Sequence, residues 1–146
     1  MPKIEKPGII VPGKEPVAYL CPTRRGIEGL LDKARSASKG ERFVLLLRGD
    51  RELQNRILPA FLNSYVRYRE GSMKSATLQI ELMLFIAGTL NIGRAISECG
   101  ARDGVKLLVV ASDDKALERF LKGSGIRDAK RLGLKMGYTD FHPALR

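Results

Sequence analysis

The chain has 146 residues, and 26 Lys or Arg against 16 Asp or Glu leave a net charge of +10 at pH 7. Its 44% hydrophobic and 29% charged residues make the balance of one ordinary folded domain, which argues against a largely disordered chain, and its longest apolar runs are too short to span a bilayer. With two cysteines and a single histidine, His142, there is neither a disulfide or zinc framework nor the material for a multi-histidine metal site or a histidine-dependent triad.

The opening Met1-Pro2-Lys3-Ile4-Glu5-Lys6 lacks the apolar core and cleavage site of a secretory signal, so a cytoplasmic location is expected. Residues 1–18 carry Pro2, Pro7, Pro12 and Pro16, a density that breaks helices and central strands. They read as an arm or irregular edge, with Ile9-Ile10-Val11 able to add a short edge strand. The remainder, residues 19–146, reads as a single globular domain. Ile27, Leu30, Leu31 and Ala34 fall at helical spacing between Gly26 and Ala37, and Gly40 stops the pattern. Phe43 to Leu47 is an apolar run too short for a helix and suits a buried strand. In the adjoining Arg48-Gly49-Asp50, Gly49 is expected to turn and Asp50 to cap the next segment.

Pro59 is suited to open a helix whose face runs through Phe61, Leu62, Tyr65 and Val66 up to Gly71. Ala76 to Ala87 is the most apolar helix candidate and should be central, with Gly88 closing it. Asn91 caps a further helix to Cys99, so that two helices meet at the tight corner Gly88-Thr89-Leu90-Asn91. Val105 to Ala111 reads as a second buried strand, and Ser112-Asp113-Asp114 caps a helix that Gly123 and Gly125 end. Arg127, Lys130, Arg131 and Lys135 suggest a short basic helix in the last twenty residues. The sum is an α/β (α+β) domain: a small mixed or antiparallel sheet packed with four to six helices.

Gly88 to Gly93 has the glycine spacing of a phosphate-binding loop, but Arg94-Ala95 stands where the motif needs Lys and a hydroxyl residue. Nucleotide hydrolysis is therefore not expected there. Glu81, inside the most apolar helix, needs a partner or a place at the rim, because an unpaired buried charge is costly. Tyr65 and Tyr68 interleaved with Arg67 and Arg69 suit either nucleobase stacking with phosphate contact or core packing with water-facing arginines. Cys21 and Cys99 read as reduced, part-buried thiols.

The segment Ile80 to Ile96 has an acidic residue in an apolar helix, a small-residue-glycine corner, a polar residue before Ile92 and an Ala95-Ile96 pair, with Gly100-Ala101-Arg102-Asp103-Gly104 beyond it. Together with the preceding strand and helix, this order over roughly residues 42–122 resembles the kinase-binding subunit of the KEOPS complex, the PRPK-binding protein family. The segment after Gly123 is shorter than in typical members, and the Pro-rich beginning has no clear counterpart. The resemblance implies a non-enzymatic protein without a cofactor. Such a protein docks on a small Bud-family kinase, itself beside the transferase subunit that makes threonylcarbamoyladenosine next to the tRNA anticodon. It also implies contact with tRNA and none with a membrane. The matching positions Gly88, Asn91, Ile92, Ala95, Ile96 and Gly100 are the candidate kinase-docking set, although the same residues equally suit packing of the two helices on each other. Charge and clustering nominate Arg67, Arg69, Lys74, Arg94, Lys130 and Arg131 as tRNA-phosphate contacts. A stand-alone nucleic-acid-binding module without a kinase partner is the alternative.

Overall fold

A run of five residues with no polar alternation must be covered on both sides if it forms a strand, since successive side chains point to opposite faces. Two such runs make the middle of this protein. The computed structural model describes residues 16–22, 26–73 and 75–134. The runs form β2 (Val44–Arg48) and β3 (Leu107–Ala111), joined by β1 (Val17–Cys21) and β4 (Lys130–Leu132) in an antiparallel sheet of order β2-β3-β1-β4. Val17 lies opposite Ala111 and Cys21 opposite Leu107, while Val44 also faces Ala111 from the other side.

The alternation divides the core in two. Ala18, Leu45, Leu47, Leu108 and Val110 face α3 (Ile57–Glu70), α4 (Leu78–Ala87) and α5 (Ile92–Cys99). Val17, Cys21, Val44, Leu46, Leu107, Val109 and Ala111 face α1 (Ile27–Ser36) and α6 (Asp114–Ser124). A short helix, α2 (Arg51–Gln54), links β2 to α3. The result is a single compact α+β domain, with six helices and four strands among the described residues.

Most of the elements match the sequence expectation, and the departures have local causes. Helix α3 begins at Ile57, ahead of Pro59, because a missing N–H is harmless anywhere in the first turn. Residues 126–134 hold no helix: Asp128 sits at φ 61°, outside the right-handed helical region, and Lys130–Leu132 pair with Ala18–Leu20 as β4. Strand β1 takes in Val17 and Ala18, the end of the segment read as an arm. Its five residues between Pro16 and Pro22 show no alternation to announce them. Ile9-Ile10-Val11, Lys74 and His142 lie outside the described residues.

An exposed row of unpaired backbone groups on β2 would invite pairing with another chain, and it is covered. Ser38 Oγ accepts from Val44 N at 3.0 Å and donates to Ala34 O at 2.9 Å, while Gly100 bridges Leu47. At the opposite edge, β4 is three residues long with Lys130 and Arg131 exposed, which blunts it by length and charge. Gly49 does not turn through a positive φ; it is glycine because of close approach. A Cβ there would stand 2.8 Å from Leu20 Cδ1 and 2.9 Å from Lys106 Cβ. Asp50 occupies the position before α2 without capping it, and its carboxylate instead pairs with Arg48 at 2.9 Å.

Gly49→Ala should therefore destabilise the domain by about 1–3 kcal/mol through overpacking of β1 against the 105–106 turn. A urea midpoint equal to that of the native chain would show that the contact relaxes freely.

Candidate functional site

Helix α4 is buried on most sides, so its end must turn sharply if α5 is to return to the sheet. Gly88 makes the turn at φ 73°, with its N–H donating to Leu84 O at 2.8 Å. Thr89 Oγ1 accepts from Asn91 N at 3.1 Å, and Asn91 Oδ1 accepts from Arg94 N at 2.9 Å, starting α5 at 70° to α4. No single helix among the described residues is long and apolar enough to cross a membrane, and this bent pair reaches the length only when its two parts are added.

Helix α5 turns Ala95 and Cys99 into the core and leaves two isoleucines outside. Ile92 is 43% exposed and Ile96 50%, and Leu90 just before the cap is 49% exposed. Ile92 and Ile96, one turn apart, share a stripe. The predicted docking set thus divides by role. Ile92 and Ile96 leave their side chains exposed; Asn91 and Gly88 shape the corner; Ala95 is buried. Gly100 serves close packing, because a Cβ there would stand 2.6 Å from Ile96 O. Leu90 was not among the expected residues. A leucine at this position usually folds back as a hydrophobic staple onto the fourth helical residue, here Ala95, and nothing in sequence marks that it does not.

The nominated cations do not form one surface. Arg67 is committed inward: its Nε lies 4.0 Å from Glu81 Oε2, its guanidinium lies 5.5 Å from the Phe85 ring centroid, and its side chain is only 18% exposed. Glu81, 1% exposed, accepts from Ser75 N at 3.0 Å and Ser75 Oγ at 2.9 Å, so the acid ties α3, α4 and the segment between them. Arg69 is exposed, 5.9 Å from the Tyr65 ring centroid. Tyr65 itself is core, stacked between Phe61 and Tyr68, with its hydroxyl donating to Glu41 at 2.9 Å. Arg94 pairs with Glu98 at 2.8 Å beside the isoleucine stripe. Arg131 pairs with Asp114 at 2.8 Å on the α6 face of the sheet, opposite the layer that holds Arg67, and Lys130 is exposed at the β4 edge.

Among the described residues no group of three or more His, Cys, Asp or Glu side chains can hold a metal ion. Cys21 and Cys99 are buried in different core halves, and burial pushes the Cys99 thiol above its ordinary range. What this architecture exposes is an aliphatic stripe on α5 and a cationic surface. No protein-family model matches the chain, and no curated protein matches its sequence.

Glu81→Ala removes the acceptor of the Ser75 amide and hydroxyl and the carboxylate that faces Arg67. It should cost about 3 kcal/mol, against about 1 kcal/mol for Ser75→Ala, as measured by urea unfolding. Cys99, with its raised pKa, holds less thiolate at pH 8 than a free cysteine. Its alkylation by iodoacetamide should be slow at that pH until the protein is denatured. Rapid modification in the native state would show that the α5 end opens readily.

Proposed function

We propose that this protein is a non-enzymatic accessory subunit of the KEOPS complex. It binds and regulates the Bud-family kinase in the cytoplasm and helps hold tRNA for threonylcarbamoyladenosine modification, with only indirect contact to the transferase. The observation that carries the reading is the exposure of Leu90, Ile92 and Ile96 on the α4–α5 corner. These residues lie in the segment whose pattern resembles the kinase-binding family. Large aliphatic side chains clustered on a surface mark an interaction site more often than isolated ones do, and two isoleucines four residues apart form the kind of helix stripe that enters a partner's groove. The net charge of +10 supports the second half of the reading, contact with a nucleic acid.

The experiment is capture of the Bud-family kinase by the native chain and by Ile92→Glu/Ile96→Glu. Both positions are exposed, so the variant should keep its urea midpoint within about 0.5 kcal/mol of native stability. Kinase affinity should fall by about thirtyfold or more, the loss of a central hot spot. Undiminished capture by the folded variant would remove α5 as the docking helix. Absence of any kinase binding by the native chain, with RNA still bound, would favour the stand-alone nucleic-acid module.

A further inference from the structure

The positive charge of this protein is unevenly free. Across the described surface some arginines are held by acids: Asp32 takes Arg35, Glu52 takes Arg56, Glu98 takes Arg94 and Asp114 takes Arg131. Other exposed cations, Arg69 and Lys130 among them, form no ion pair within the described residues, and three such cations gather on helix α6. Lys115, Arg119 and Lys122 are exposed, and none forms an ion pair within the described residues. Their spacing of four and three residues puts them on one side of the helix, spread over about 10 Å. With Glu118 they ring an open depression whose apolar floor is Leu121 and Ile126. At the end of the helix a further cation, Lys33 of α1, donates to Gly123 O at 2.9 Å.

We propose that this depression on the outer side of α6 is the RNA-backbone contact of the protein, with Lys115, Arg119 and Lys122 meeting successive phosphates. The inference deepens the accessory-subunit reading and takes from it RNA as the polyanion. Charge complementarity carries it: three cations against one acid, Glu118, gather in this depression and none of the three is held in an ion pair, whereas Arg94, Arg131 and Arg67 must first leave an acid. Placement carries it further. Helix α6 packs on the Val109 side of the sheet and α5 on the Leu108 side, so RNA on one and a protein on the other do not compete for space.

The test is binding of a fluorescent tRNA to the full chain over a salt series, with Lys115→Gln/Arg119→Gln/Lys122→Gln as the variant and Arg56→Gln, paired with Glu52 on the α4 side of the sheet, as the comparison. Glutamine keeps helix propensity, so the triple variant should fold. Its affinity should drop about tenfold or more, and the slope of log affinity against log salt should lessen by about 2–3, one step for each lost phosphate contact. Arg56→Gln should leave both unchanged. Native-like affinity and slope in the folded triple variant would overturn the α6 assignment while leaving RNA binding standing. If the native chain binds no tRNA, or if vesicles of anionic phospholipid displace tRNA from it at low salt, an RNA contact at α6 is overturned. Kinase capture by the triple variant, read in parallel, reports on the accessory-subunit reading separately and should be undiminished.

Discussion

The burial of β2 and β3 on both faces is the constraint on which the remaining structure depends. Antiparallel sheets often leave one face to water, and their strands then alternate polar with apolar residues. Here Val44 to Leu47 and Leu107 to Ala111 are all buried, so the sheet needs a helical layer on each side. That demand sets the division of labour among the helices. On one side α4, apolar around most of its circumference, is enclosed by α3 and α5. On the other, the amphipathic α1 and α6 cover the sheet with one stripe each and leave their charged faces in water.

Enclosing α4 creates the one fully buried charge among the described residues, Glu81. A carboxylate in that place needs partners, and Ser75 and Arg67 meet it; the same contacts hold the chain between α3 and α4 against the helices. The arrangement is costly by comparison with an apolar residue, and sliding either helix would part the carboxylate from these contacts. It also withdraws Arg67 from the pool of cations available to a polyanion.

The exposed isoleucines of α5 and the uncompensated cations of α6 result from the same layering. Each helix has a side that the sheet does not need, and these two sides differ in chemistry. One is aliphatic at the corner beside a satisfied ion pair, which suits a folded protein surface; the other is cationic around a small apolar floor, which suits a phosphodiester chain. The sheet between them keeps the two surfaces apart.

How much of this was legible beforehand depends on the range of the interactions involved. Periodicity and local capping determined α1, α3, α4, α5, α6, β2 and β3 to within a few residues, because Asn91, Asp113 and Gly88 act on the backbone beside them. They also determined that Glu81 needs a partner and that two helices meet at Gly88 to Asn91. Strand pairing across the chain is another matter: β1 and β4 are strands because Ala18 to Leu20 and Lys130 to Leu132 meet each other. Likewise α1, whose capping position is Gly26, has its first amide bound to Asp103, 76 residues away. Nor does helical spacing say which stripe is inside when both carry aliphatics, as with Ala95 and Ile96 of α5. Some ion pairs follow from spacing, since Asp32–Arg35, Glu52–Arg56 and Glu98–Arg94 lie three or four residues apart; that Arg131 meets Asp114 and Arg67 meets Glu81 was decided only in three dimensions, because folding brings those carboxylates to them from other elements.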